Sequence, residues 1–300
     1  MGIHKLTYNE RKALRNGLLF TSPWLIGFLA FRVYPFFASL YYSFTFYPIL
    51  GRPNWIGLDN YTNLLDDPRF LTSLYNTSYY ALGAVPLAAV VGIALAMLLN
   101  TNVRGLSVFR TVYFLPSITP VVATAIVWLW MFDPINGVIN YLLGLVGIHG
   151  PGWMGSPTWS KPALILMSMW GVGGAVVIYL ASLQDVPREL LEAAELDGAN
   201  GRQKIRHVTL PMISPVILFN VITGLIGAFQ YFTEAFIMTG GTGSPADSTL
   251  MMSIYLYQSA FVYFKIGYAS AQAWALFLIV ILFTIILFRV SGRLVYYGGK

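Results

Sequence analysis

The sequence predicts an all-α integral membrane protein with six spanning helices and both termini on the cytoplasmic side. Three observations carry that reading. Hydrophobic residues make up 57% of the 300 and charged residues only 10%, while mean hydropathy is +0.65; a soluble domain is roughly a quarter charged. The uncharged runs are long enough to cross a bilayer, since a helix needs about 20 apolar residues to traverse ~30 Å of hydrocarbon. The bases are distributed unevenly between alternate connecting segments. Together these exclude a soluble enzyme, a disordered chain and a nucleic-acid binder, because twelve acids and eighteen bases are too few to cover a soluble globule of this size. The sequence contains no Cys, so disulfides, thiol nucleophiles and Cys–zinc sites are excluded as well.

The elements follow in order. A basic segment, 1–16, is read as a cytoplasmic N-terminal extension of a transmembrane domain covering 17–300. The first span is placed at 17–46, broken only by Arg32. It is too long for the apolar core of a cleaved signal and no small-residue cleavage site follows, so it reads as an uncleaved anchor. Arg32 either snorkels to water, pairs with a carbonyl or faces a polar cavity, since an unpaired charge at the bilayer centre costs roughly 3 kcal/mol or more. Uncharged runs then extend over Phe70–Val103 (34 residues), Thr111–Phe132 (22), Pro162–Gln184 (23), His207–Thr233 (27) and Ile266–Phe288 (23). They place the remaining spans near 77–99, 111–132, 162–184, 211–236 and 267–289. Pro134–Ser160 is uncharged but rich in Gly and Pro, which suggests a loop with a short interfacial helix over Val138–Val146. Ser248–Phe264 is short and aromatic, and is read as an amphipathic or re-entrant segment.

Topology follows from the bases. Thirteen Lys and Arg fall in the N-terminus, the second and fourth connections and the C-terminus, against four in the alternate connections. By the positive-inside rule the richer set is cytoplasmic. The most charged loop, 185–210, carries nine of the thirty charged residues and so faces the cytoplasm. Pro187 suits a helix start, with Glu189 and Glu192 in the turns where the helix dipole favours acids. Leu190, Leu191, Ala194 and Leu196 give the helix an apolar side, and Gly198 suits a left-handed stop. A second short helix with Arg202, Lys204 and Arg206 leads into Leu210-Pro211. A helix this short is marginal in water, so a cytoplasmic partner that covers it in a groove is expected.

The residues of this loop carry a family resemblance. Glu192-Ala193-Ala194, three residues to Gly198, then nine to Val208-Thr209-Leu210-Pro211, resembles the EAA loop of binding-protein-dependent ABC importers, with Val208 where Ile is commoner. Further stretches are similar to the carbohydrate-type permeases, the maltose and glycerol-phosphate-like group. They are Ser22-Pro23-Trp24, Tyr34-Pro35, Gly57-Leu58-Asp59-Asn60-Tyr61, Asn76-Thr77, Phe109-Arg110-Thr111, Leu115-Pro116, Thr239-Gly240-Gly241, Ser248-Thr249, Gly267–Ala271 and Val295-Tyr296-Tyr297. The resemblance implies a type I importer fold in a bacterial or archaeal plasma membrane. It implies a heterodimer with a second related permease, two ATPase subunits and an extracytoplasmic solute-binding protein. It also implies a sugar, oligosaccharide or related polyol as substrate. The expected ATPase-coupling residues are Glu192, Ala193, Ala194, Gly198, Leu210 and Pro211. ATP and Mg would be bound by the partner ATPases, and no cofactor, metal or catalytic residue is expected in this chain.

Absences in the sequence agree. There is no Gly-x4-Gly-Lys-Ser/Thr phosphate loop, and the only Gly-Lys pair is Gly299-Lys300. No HExxH or GxSxG motif occurs, and His4, His149 and His207 lie outside the spans or at an end. Candidate substrate-pathway residues come from the fourth and fifth spans. Trp170 and Gly174 sit beside Gly171 and Gly173, glycines that equally suit small-residue helix packing. Asn220, Phe229, Gln230, Tyr231 and Glu234 combine aromatic faces with hydrogen-bonding groups, as sugar recognition requires; the alternative is that Asn220 and Gln230 join helices by hydrogen bonds and Glu234 lies at the outer interface. The competing reading is an ion-gradient-driven secondary transporter, a class that often shows inverted repeats and buried midplane acids. No obvious repeat is present, and Glu234 is the only acid inside a span. A channel or membrane-embedded enzyme finds no filter or catalytic set.

Overall fold

A computed structural model describes residues 7–101, 105–292 and 295–296. The helices in chain order are α1 (Tyr8–Phe28), α2 (Tyr34–Ser43), α3 (Asp59–Asp66), α4 (Pro68–Leu99), α5 (Leu106–Ile118), α6 (Val121–Met131), α7 (Val138–Leu145), α8 (Ser160–Ser168), α9 (Gly173–Gln184), α10 (Arg188–Leu196), α11 (Gly201–Lys204), α12 (Leu210–Phe229), α13 (Thr233–Thr239), α14 (Met252–Tyr257) and α15 (Ile266–Ser291). A two-residue antiparallel ribbon, β1 (Thr45–Phe46) with β2 (Asn54–Trp55), is the one sheet among the described residues. Four helical stretches are long and apolar enough to cross a membrane: 8–43, 68–99, 201–239 and 266–291. Two further pairs, α5 with α6 and α8 with α9, pass the same test together and are bent by 101° and 51°. Six spans result if each bent pair counts as one.

The helices differ from the sequence expectation mainly at their ends and bends. The first begins at Tyr8 rather than residue 17, because Thr7 and Glu10 form a capping box that starts it early. It ends at Ser43, and Thr45 and Phe46 enter the ribbon. The second begins at Pro68 instead of 77, with the Asp67 carboxylate capping Arg69 N–H at 2.9 Å. The run 111–132 is not one straight helix. Thr119 is extended (ψ 134°) ahead of Pro120, as a residue preceding proline prefers, and the chain turns there. The run 162–184 is interrupted by a 3-10 turn over Met169–Gly171. The helix over 138–145 and the short helix over 252–257 lie where an interfacial and a non-spanning segment are expected.

Two of the prolines inside the spans, Pro23 and Pro215, are compensated locally. Pro23 deprives the Leu19 carbonyl of its helical donor, and Ser22 Oγ donates to that carbonyl at 2.8 Å. Pro215 does the same to Pro211, whose carbonyl accepts from Ser214 Oγ at 2.6 Å. In hydrocarbon no water is available to satisfy such groups, so a neighbouring hydroxyl supplies the bond.

The chain divides into two compact units. The first comprises residues up to 63 together with 259–274. Its organising residue is buried Asn60, whose amide donates to the Ser43 and Thr45 carbonyls at 2.9 Å each. Tyr61 Oη donates to Ser43 Oγ at 2.8 Å, and Trp274 Nε1 donates to Ser39 Oγ at 3.2 Å. Gly267 passes so close to the Thr45 carbonyl that an added Cβ would lie 2.0 Å from its oxygen.

The second unit comprises 64–258 and the described residues from 275 onward. Here α4 packs against α8, α9, α12 and α14, and α5 packs against α9. Its core includes Ala96, Leu99, Val176, Tyr179, Leu180 and Ile213. The loop between α13 and α14 is fastened to the start of α4 by a polar network. Arg69 and Asp247 form a two-pronged ion pair, 3.1 Å on each prong. Asn76 donates to the Asp247 and Leu250 carbonyls at 2.7 and 3.1 Å. Lys161 Nζ reaches Asn76 Oδ1 at 3.1 Å, and Met252 N–H donates to Thr77 Oγ1 at 2.9 Å.

Candidate functional site

Two features of the second unit stand out, and one helical stretch joins them. The first is the charged loop. Pro187 immediately precedes α10, whose acids Glu189 and Glu192 precede an exposed surface with Leu196 at 91% exposure. Gly198 adopts φ +82°. Its N–H bonds the Glu195 carbonyl at 3.0 Å and the Ala199 N–H bonds the Ala194 carbonyl at 2.9 Å, the pair of bonds that closes a Schellman stop. Lys204 pairs with Glu195 at 3.0 Å, tying α11 back to α10. Asn200 and Gln203 cap α11 reciprocally at 2.7 and 3.0 Å. The apolar residues of α10 divide between two directions. Leu191 packs toward the core around Val176 and Ile213, Ala194 is half-buried, and Leu190 and Leu196 stay exposed. Glu192 and Ala193 are exposed, while Leu210 and Pro211 are half-buried at the head of α12.

From Gly201 the chain continues through α11, a π-helical turn over Ile205–Thr209 and α12 without leaving helical geometry. The second feature lies against the far part of α12. An open cavity of about 510 Å3 is lined by residues of α4, α5, α6, α8, α9, α12 and α13 and the turns between them. Its aromatic lining is Tyr80, Trp170, Tyr179 and Tyr231, and its polar lining includes Ser168, Asn220 and Thr223. Tyr80 and Tyr231 stack at 4.2 Å. Trp170 is 42% exposed and stands edge to face with Trp128 at 6.0 Å. Glu234 is the one acid in the lining, and no base lines it among the described residues.

The structure brings together Trp170, Asn220, Tyr231 and Glu234 from the sequence-derived set. It does not bring Gly174, Phe229 or Gln230 to the cavity wall. Phe229 is 1% exposed and stacks on Phe283 at 5.1 Å. Gln230 is exposed at the C-cap of α12, and Gly174 is exposed one residue past the packed face of α9. The near neighbours trade places because helix spacing assigns Gly171, not Gly174, to the wall. Arg32 is exposed in the π turn over Leu29–Val33. Sequence reasoning missed Tyr80, Ser168 and Tyr179. All three lie in uncharged runs, where hydropathy does not mark which side of a helix faces a cavity.

Comparison with known proteins agrees with this architecture. The family profile described as "Binding-protein-dependent transport system inner membrane component" matches residues 88–295. The chain is 44% identical over 299 residues to the "Probable ABC transporter permease protein YesP" of Bacillus subtilis, covering 99% of this chain and 96% of that protein. It is 36% identical over 273 residues to the lactose transport system permease protein LacF of Rhizobium radiobacter, covering 88% and 90%. It is 32% identical over 295 residues to the arabinooligosaccharides transport system permease protein AraP of Bacillus subtilis, covering 97% and 92%. The fold is similar to a chain of a bacterial alginate ABC transporter solved with an alginate pentasaccharide-bound periplasmic protein. That match has a TM-score of 0.80 at 22% identity, covering 95% of this chain and 97% of that one. These matches leave the secondary-transporter reading without support. The chain belongs to the binding-protein-dependent transport system inner membrane components: it is the membrane-embedded permease of an ABC importer, not its hydrolytic subunit.

Proposed function

We propose that this chain forms half of the translocation pathway for a sugar, oligosaccharide or related polyol. In this reading it pairs with a second, related permease and takes solute from an extracytoplasmic binding protein. The loop 185–210 couples it to two ATPase subunits, which bind ATP and Mg. The chain crosses the plasma membrane of a bacterium or archaeon six times, with both termini in the cytoplasm. One observation carries the proposal: the helical run from Gly201 to Phe229 connects the exposed loop helix to a cavity with aromatic and neutral polar walls. Aromatic faces cover the apolar faces of a sugar ring, while hydroxyl and amide groups bond its hydroxyls. The names of LacF and AraP, which specify lactose and arabinooligosaccharides, support the substrate class.

Mechanically, α10 presents Leu190, Ala193 and Leu196 outward, with Glu192 beside them. Helix-in-groove docking on an ATPase would bury these residues. A displacement of α10 would be passed through the Glu195–Lys204 pair and α11 into α12, which carries Asn220 and leads to Tyr231 and Glu234. The test is ATP-dependent uptake of labelled oligosaccharide by the complete complex in proteoliposomes, with binding protein supplied on the outer side. Uptake should stop without ATP and fall in a Trp170→Ala complex that still assembles. Uptake driven by an ion gradient in the absence of nucleotide would overturn the assignment.

A further inference from the structure

The helix formed by α1, the π turn and α2 covers 36 residues, Tyr8–Ser43. At ~1.5 Å per residue it is about 54 Å long, well beyond the ~30 Å of hydrocarbon. Its uncharged part begins at Asn16, so the first two turns, carrying Glu10, Arg11, Lys12 and Arg15, emerge at the membrane surface. One face of this helix is continuous across that boundary. Arg11, Leu14, Arg15, Leu18, Leu19 and Ser22 line a single shallow groove, at the i, i+3, i+4, i+7, i+8, i+11 spacing of one helical face. All except half-buried Ser22 are exposed.

The arginines on this face form no ion pair among the described residues. The Glu10 carboxylate is occupied by its cap, accepting from Thr7 N–H at 2.7 Å and Thr7 Oγ1 at 2.9 Å. The ion pairs among the described residues are Arg69–Asp247 and Lys204–Glu195, so neither Arg11 nor Arg15 has a carboxylate partner there. Two guanidiniums therefore stand at the mouth of a leucine track. From Arg11 to Ser22 the track is roughly 16 Å long, about half of the ~30 Å hydrocarbon core. A cationic end leading into an apolar stripe that runs roughly 7–8 Å from Leu14 to Leu19 matches the headgroup and the first acyl carbons of one phospholipid.

We propose that this face of α1 is a binding site for an anionic phospholipid. Its phosphate lies between Arg11 and Arg15, and one acyl chain lies along Leu14, Leu18 and Leu19. Arginine suits the phosphate end because its planar donors engage phosphate oxygens in pairs. A zwitterionic headgroup brings its own cation and satisfies two guanidiniums less well. A protein helix on the same face would need acids opposite both arginines.

The test uses the complete purified complex in nanodiscs containing phosphatidylglycerol and phosphatidylcholine. Retained lipids are counted by native mass spectrometry. At roughly 1 kcal/mol per basic residue near a surface, two arginines are expected to favour phosphatidylglycerol on the order of tenfold or more. An Arg11→Gln/Arg15→Gln double variant should lose most of that preference. An Arg11→Lys/Arg15→Lys variant should keep part of it, and Arg52→Gln, a distant exposed base, should keep all of it. A photoreactive residue in place of Leu18 should crosslink to lipid. An unchanged preference in the double Gln variant, an equal loss in Arg52→Gln, or crosslinking from position 18 to another protein subunit would overturn the proposal.

Discussion

Tyr80 and Tyr231 stack ring to ring, with centroids 4.2 Å apart and planes 22° from parallel. They come from α4 and from the turn after α12, and both line the cavity. Both are buried, at 4% and 8% exposure. The Tyr231 hydroxyl makes no hydrogen bond of acceptable geometry among the described residues. Two substitutions separate the ring from the hydroxyl. Tyr231→Ala removes the stack and should cost about 3–5 kcal/mol, as for other buried aromatics, with a matching drop in Tm of the detergent-solubilised complex. Tyr231→Phe keeps the stack and removes a buried group without a partner, so the fold should be unaffected or slightly stabilised. A several-fold loss of uptake in the Phe variant would then report contact between the hydroxyl and solute. If Phe lowers Tm as much as Ala, the hydroxyl has a structural role instead.

Gly198 needs its backbone, not its small size. At φ +82°, with no heavy atom within 4 Å of where a Cβ would be, any penalty at this position is conformational. Gly198→Asp should cost roughly 1–2 kcal/mol at the stop of α10, and it places a second acid beside Asp197 where the helix dipole disfavours one. Gly198→Asn, which tolerates the left-handed region, should be milder. The expected fault lies in coupling, with normal membrane insertion but reduced uptake per ATP hydrolysed. An Asp variant that copurifies its ATPase and transports at the wild-type ratio would remove the loop from the coupling path.

Neighbouring glycines in the bent fourth span should respond differently. A Cβ on Gly173 would lie 2.5 Å from the Tyr113 carbonyl oxygen and 3.2 Å from Phe114 Cα, whereas Gly174 has nothing within 4 Å. Gly173→Ala should therefore separate α9 from α5 and cost about 1–3 kcal/mol. Gly174→Ala should leave thermal unfolding of this chain unchanged. Equal Tm values for the two variants would rule out close backbone packing as the reason for Gly173.

The network that fastens the loop between α13 and α14 is expected to depend on its buried amide more than on its ion pair. Asn76→Ala removes the side-chain donor from two carbonyls, each worth about 1–3 kcal/mol if left buried without a partner. Arg69 and Asp247 are each about one-third exposed, at 35%, so Arg69→Ala should cost under ~1 kcal/mol through the lost ion pair. Limited proteolysis across 240–250, together with thermal unfolding, distinguishes the two. A larger effect from Arg69→Ala would contradict this ranking.

Much of this arrangement was legible from residue order. Charge-free runs located the apolar segments, because the bilayer imposes a length and a polarity on any helix that crosses it. Gly198 announced the end of α10, since a left-handed stop is a local backbone requirement. Motif residues found by resemblance acquire specific roles: Asn60 binds the end of α2, Gly267 admits the Thr45 carbonyl, and Asn76 holds the 240–250 loop.

The sequence by itself determined the membrane class, the approximate positions of the apolar segments and the helix–stop–helix pattern of the charged loop. These are one-dimensional or local properties, set by hydropathy, charge bias and backbone preference. The preference of a residue before proline places the break of 111–132 at Thr119-Pro120; tertiary structure decided that this break bends the run by 101° and that 162–184 bends beside Gly173. It also decided that Tyr80 and Ser168 join Trp170, Asn220, Tyr231 and Glu234 around the cavity while Phe229 and Gln230 turn away. Within an apolar helix every side is compatible with lipid, so no hydrophobic periodicity marks the inner face. Which residues look inward is settled by close packing between neighbouring helices.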